Sequence, residues 1–251
     1  MHASYLLAAL IFFTRLPFWK VKKDLPPAPF KHIVPYWPMT GWITGGTMAA
    51  VLWLAAQVLP LPMAWILAIA TRLILTGCLH EDGLADFCDG FGGSRTREDT
   101  LAIMKDSHIG SYGVIGLVLY FLLLTQAATL PLPVLCTVAF CADSWSKACA
   151  SQLVNRLPYA RKEEESKARV VYDHMTTTET CLALTAGALP LFLLPDGLWM
   201  AAICPALVFI GLCRLMKQRL QGYTGDCCGA TFLLCELSFY LGSLMLYYLN
   251  H

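Results

Sequence analysis

The sequence predicts an all-α, polytopic transmembrane helix bundle of about eight spans, with short far-side turns and longer cytoplasmic loops. Three observations carry that prediction. Of 251 residues 57% are apolar, and mean hydropathy is +0.57. Charged residues make up 14%, where a soluble domain holds about 25%. Lys and Arg gather in alternate connections between the apolar runs. The chain reads as a single integral membrane domain over residues 1–251. With 18 Lys and Arg against 17 Asp and Glu, the net charge of +1 leaves no electrostatic basis for a nucleic-acid partner.

A membrane helix needs about 20 mainly apolar residues. Runs near that length are Ser4–Phe18, Trp37–Leu59, Met63–Leu79, Ile109–Leu130, Pro133–Leu153, Thr180–Leu194, Leu198–Met216 and Ala230–Leu249. The first and sixth are short enough to tilt, dip or lie in the interface. The first does not read as a cleavable signal, because Arg15 and Pro17 interrupt its end and no basic stretch precedes it. The segments Trp19–Tyr36, His80–His108, Val154–Glu179 and Arg214–Gly229 hold 15 of the 18 Lys and Arg residues, and the intervening turns hold none. The positive-inside rule makes every long loop cytoplasmic and places both chain ends on the far side. Arg15, Arg72 and Lys147 remain within spans, where charge is costly unless paired. Asp143 and Lys147 are spaced i, i+4, and Arg72 and Glu236 lie in spans three and eight. Paired, they hold the bundle together; unpaired, they mark a pathway. The reading favours pairing, with no partner assigned to Arg72 or Glu236. The eleven cysteines form no C-x-x-C pair and read as small packing residues, adjacent Cys227 and Cys228 included.

Span three runs into His80-Glu81-Asp82-Gly83-Leu84-Ala85-Asp86-Phe87-Cys88-Asp89-Gly90. If the helix continues past Leu79, Asp82, Asp86 and Asp89 share one face at i, i+4 and i+7. Three like charges on one face repel, and the segment abuts the bilayer. A hard divalent cation would offset that repulsion; Mg²⁺ takes one or two carboxylates and completes its shell with water and phosphates. Gly90, Gly92 and Gly93 match no nucleotide-binding motif, though they permit close backbone approach to phosphate. Arg95, Arg97 and Lys105-Asp106-Ser107 follow, so cations stand near the acids as phosphoryl transfer requires. Positive-inside anchoring is the competing reading for Arg95. A second polar knot, Gly222-Tyr223-Thr224-Gly225-Asp226, reads as a tight turn on the same membrane face, which makes Asp226 a candidate member of the same site.

These residues resemble a known family. His80-x-Asp82-Gly83-Leu84-Ala85-Asp86-x-x-Asp89-Gly90, Ile103-Met104-Lys105-Asp106-Ser107-x-Ile109-Gly110, Tyr159-Ala160-Arg161, Thr224-Gly225-Asp226-x-x-Gly229-Ala230 and Phe13-Thr14-Arg15-Leu16-Pro17 look like cobalamin synthase, the adenosylcobinamide-GDP ribazoletransferase family. The resemblance covers nearly the whole chain. It implies a Mg²⁺-dependent enzyme of the inner membrane that joins α-ribazole or its 5′-phosphate to adenosylcobinamide-GDP and releases GMP late in vitamin B12 assembly; the positive-inside distribution makes its active face cytoplasmic. Other late cobalamin-assembly enzymes are candidate partners. Mapped onto matching positions, Asp82, Asp86, Lys105 and Asp106 are candidate catalytic residues. Asp82, Asp86, Asp89 and Asp226 are candidate metal ligands. His80, Arg95, Arg97, Ser107, Arg161 and Thr224 are candidate substrate-binding residues. Three departures stand out: Glu81 where the family carries an apolar residue, Asp143–Lys147 where an arginine is common, and Gln221 in place of one of a glycine pair.

The reaction implied is attack of a ribose hydroxyl on the cobinamide-side phosphorus, with one carboxylate, Asp82 by choice, as general base. A CDP-alcohol phosphotransferase is the rival enzyme, since Asp86-x-x-Asp89-Gly90 opens that family's motif, but the pattern fails after Gly90. A cation or metabolite transporter is the rival outside enzymes; it would need acids at the midplane, and here most cluster at one membrane edge.

Overall fold

The computed structural model describes residues 2–21, 28–161, 171–195 and 197–250. The loop cations Lys22, Lys23, Lys162, Lys167 and Arg169 lie outside the described residues. All eight apolar runs are helical. The helices are α1 (His2–Phe13), α2 (Trp37–Ala55), α3 (Leu61–Thr76), α4 (Leu79–Gly93), α5 (Arg97–Lys105), α6 (Ser111–Thr125), α7 (Leu132–Ser151), α8 (Leu153–Arg156), α9 (Thr177–Ala188), α10 (Ile203–Arg219) and α11 (Gly225–Asn250). Among the described residues extended pairing is confined to one isolated bridge, Tyr159 with Tyr223, so the all-α expectation holds.

Helices and crossings are not the same count. Ser111–Thr129, Leu198–Arg219 and Gly225–Asn250 are each long and apolar enough to cross a bilayer. α3 and α4 qualify only as a pair bent by 90°, and His2–Phe13 and Thr177–Leu193 are shorter apolar helices. The described helices therefore give three crossings by length and composition, or four with the bent pair. Apolar side chains cover the outer faces of α6 (Val114, Ile115, Val118, Leu119, Leu122) and α10 (Leu207, Ile210) and are exposed in the isolated chain. Contiguous apolar faces of this kind belong against lipid rather than water.

The core is built around α7, whose last turns are almost wholly buried. α2 packs on it through Gly41 and Gly45, spaced four apart: a Cβ at Gly41 would stand 2.8 Å from Ser144 Cα, and one at Gly45 3.0 Å from Asp143 Cβ. Small residues at that spacing let two backbones meet, the usual way helices associate in lipid.

The bundle interior holds the charges. Arg72 on α3 donates to Glu236 on α11, to Glu81 on α4 at 3.1 Å and to Tyr120 OH on α6 at 3.0 Å. Lys147 pairs with Asp143 one turn earlier and donates to Thr44 Oγ1 on α2 at 2.7 Å, and that hydroxyl lies 3.0 Å from both Asp143 oxygens. Both cations also sit over the Phe232 ring. The intramembrane charges are thus paired, as expected, and Glu81 is accounted for: it is the second carboxylate on Arg72.

One expectation needs correction. Span three does not extend through Leu79. α3 ends at Thr76, Gly77 and Cys78 take left-handed φ values of 63° and 57°, and α4 leaves at 90°. A Cβ at Gly77 would collide with the Arg15 side chain, so the corner depends on glycine. Helical spacing does resume from Leu79 through Gly93, and the i, i+4, i+7 relation of Asp82, Asp86 and Asp89 holds on the new axis.

Candidate active site

α4 crosses the first turn of α11 at a point where neither tolerates bulk. A Cβ at Gly83 would stand 3.0 Å from the carbonyl oxygen of Asp226, and one at Gly229 3.1 Å from that of His80. This crossing brings Asp226 beside Asp82 despite their separation in sequence. Both carboxylates line a cleft of about 310 Å³, together with His80, Arg161, Trp37 and Tyr172. A second cleft of about 380 Å³ meets the first at Asp82 and Leu79 and carries Arg15, Thr14 and Thr76.

The turn that presents Asp226 is held from both sides. Thr224 is buried and caps α11, its Oγ1 accepting the Cys227 amide at 3.3 Å. Preceding it, Tyr223 N–H donates to Pro158 O at 2.9 Å and Ala160 N–H to Tyr223 O at 2.8 Å, joining the Tyr159-Ala160-Arg161 segment to the turn. Arg97 at the start of α5 bridges the same two segments, Nε to Leu220 O at 2.8 Å and Nη2 to Ala160 O at 2.7 Å. Arg219 donates to the carbonyls of Ser94 and Phe91 at the end of α4. Arg161 donates Nη2 to Leu101 O at 2.9 Å while lining the cleft. Burial holds the Tyr172 phenol well above its ordinary pKa, so it stays a neutral donor in the wall.

A family model described as cobalamin-5-phosphate synthase matches residues 5–244. The chain belongs to this family. A Leptothrix cholodnii adenosylcobinamide-GDP ribazoletransferase is 42% identical over 254 residues, covering 96% of this chain and 94% of the relative. Its namesakes in Shewanella putrefaciens, 37% identical over 94% of this chain and 91% of the relative, and Shewanella oneidensis, 35% identical over 92% and 90%, agree with it. No solved structure matches the chain. The cobalamin-5-phosphate synthase assignment replaces both the phosphotransferase and the transporter rivals.

Within this member of the family, the positions carried over from the sequence divide into three groups. His80, Asp82, Arg161 and Asp226 share the cleft, and Asp86 follows Asp82 by one turn of α4. Lys105, Asp106 and Ser107 are exposed where α5 ends, as is Arg95 before that helix. There a hydrogen bond from His108 at 2.6 Å holds the Asp106 carboxyl below its usual pKa. Thr224, Arg97 and Asp89 have structural work: Thr224 and Arg97 shape the turn, and Asp89 caps α6. Buried at 6% exposure, Asp89 accepts the Gly110 amide on Oδ2 at 2.7 Å and the Gly113 amide on Oδ1 at 2.8 Å. A carboxylate engaged on both oxygens by a helix N-terminus suits that role better than metal ligation. Among the described residues no three His, Cys, Asp or Glu side chains converge on one metal position. Two carboxylates on a cleft suffice for Mg²⁺, which fills its shell with water and substrate phosphate, so the donor set Asp82 and Asp226 fits the ion.

Asp89→Ala removes two charge-assisted hydrogen bonds and is expected to lower stability by about 2–3 kcal/mol, read as a lower melting temperature in detergent, with Asp89→Asn intermediate. An alanine variant that melts like wild type but has lost turnover would return Asp89 to the ligand set.

Sequence reading missed Trp37, Phe13 and Tyr172, which form much of the cleft wall, and took Arg15 for an in-span charge. Trp37 enters the sequence only as the first residue of an apolar run, which says nothing about which way its ring faces.

Proposed function

We propose that this chain transfers ribazole, free or as its 5′-phosphate, to adenosylcobinamide-GDP with release of GMP, at the cytoplasmic face of the inner membrane and with Mg²⁺ as cofactor. The observation that carries the reading is the cleft where Asp82 and Asp226 stand with Arg161, in a chain of this family. In the finer topology proposed, all eight apolar helices are spans or interfacial segments, and the loops rich in Lys and Arg face the cytoplasm.

Asp82 and Asp226 would hold Mg²⁺, with Asp86 one turn further along α4 as the neighbouring acid. Bound there, the ion supplies charge neutralisation for the diphosphate and the departing GMP. Arg161 binds a phosphate oxygen with the donors it has beyond the Leu101 carbonyl. The ribose hydroxyl oxygen forms a bond to the cobinamide-side phosphorus, the bond from that phosphorus to the GMP oxygen breaks, and the hydroxyl proton passes to Asp82. Lys105, exposed at the α5 end beside Asp106, is the further cation available to the diphosphate.

The test is GMP release by protein purified in detergent and supplied with adenosylcobinamide-GDP and α-ribazole 5′-phosphate. Turnover is expected with Mg²⁺ and not with a chelator in excess. GMP release unaffected by chelation would remove the metal from the reading, and its absence under all conditions would remove the reaction.

A further inference from the structure

The inner wall of the cleft is aromatic. Trp37 stacks on Phe13 with centroids 4.9 Å apart and planes 10° from parallel, and His80 sits 5.5 Å from Trp37 and edge-on to Phe232 at 4.8 Å. Trp37 and His80 are each 2% exposed, and Trp37 Nε1 and His80 Nε2 have no hydrogen-bond partner among the described residues. Buried ring nitrogens are almost always satisfied, so two orphans lining one cleft mark where a ligand's polar edge docks.

We infer that this wall is the subsite for the base of the nucleoside substrate: a planar, mainly apolar bicycle with one acceptor nitrogen at its edge, as in the benzimidazole of ribazole. Trp37 Nε1–H donates to that nitrogen, and His80 Nε2 meets the base or its ribose hydroxyl beside it. The inference rests on the proposed transfer and adds which half of the reaction the cleft serves. At about 310 Å³ the cleft lies at the small end of ligand pockets, ~300–1,000 Å³, room enough for a base and its sugar. Guanine shows three acceptors (O6, N7 and N3) and two donor groups (N1–H and the N2 amino group) at its edges. Against Phe12, Phe13, Val34 and Leu79 it would leave several of them unmet, which disfavours the GDP half. A base seated on Trp37 and His80 also directs its ribose toward the rim, where Asp82, Asp226 and Arg161 stand.

The experiment is equilibrium dialysis of the full-length protein in detergent against α-ribazole 5′-phosphate and, separately, GMP, with wild type, Trp37→Phe and His80→Phe. Phe keeps the ring and removes the nitrogen. Loss of one hydrogen bond should raise the ribazole phosphate Kd about five- to tenfold in each variant and leave GMP binding within about twofold. A ribazole phosphate analogue with carbon in place of the free ring nitrogen should bind wild type weaker by the same factor and lose nothing more in Trp37→Phe; this arm reads the contact even where a variant folds poorly. Unchanged ribazole phosphate affinity for the variants and the analogue overturns the assignment, and weakened GMP binding alone reassigns the wall to guanine. Wild type that binds ribazole phosphate in this way yet releases no GMP keeps the subsite and loses the transfer reaction; GMP release with unaltered binding in both variants does the reverse.

Discussion

Asp82→Asn should lower the rate of GMP release at least about a hundredfold while leaving membrane insertion and melting temperature near wild type. The size follows from what the amide removes: it cannot take the hydroxyl proton, a contribution of about 10²–10⁴ for a positioned base, and its neutral oxygen is a poorer ligand for a hard cation. Stability should be spared because Asp82 is exposed at the junction of the two clefts. Initial rates at saturating substrates, set beside a detergent melting curve, decide the matter. A rate within about threefold of wild type would return the acidic face of α4 to a structural role.

Arg72→Met should be strongly destabilising. The guanidinium is fully buried and, among the described residues, is the cation that forms ion pairs with both Glu81 and Glu236. Methionine keeps most of the volume and strands two carboxylates in the bundle, a loss of about 3–5 kcal/mol, a large share of the ~5–15 kcal/mol that holds a domain folded. The expected result is a collapse in the yield of monodisperse protein, or a melting temperature far below wild type. Arg72→Met combined with Glu81→Leu and Glu236→Gln should recover much of the loss, since no charge is then stranded. Wild-type melting in the single variant would show that the network contributes nothing to the fold.

Hydropathy located every apolar helix, because a run of lipid-compatible residues has few other ways to satisfy its backbone. It did not locate the corner between α3 and α4. Gly77 and Cys78 carry no sequence mark that separates a break from a flexible point in a continuous helix, and apolarity persists across them. The convergence of Asp82 with Asp226 was legible from topology, because both sit at helix ends on the face rich in cations. The roles of Asp89 and Arg97 were not. A carboxylate bound for Mg²⁺ and one bound for two amides look identical in a string of letters, as do an arginine that holds phosphate and one that ties two carbonyls. Glu81 was unreadable for a similar reason: its partner lies on the preceding helix, across a bend the sequence did not announce.

The right-angled corner also sets the order in which the protein can be built. The partners that hold α4 are made after it. The amides that receive Asp89 arrive 21 and 24 residues later, and Arg219, which receives the end of α4, arrives 125 residues after Ser94. The first turn of α11, against which Gly83 rests, is made later still. The cleft that joins Asp82 to Asp226 is therefore complete only when the C-terminal helix has been made and packed against α4.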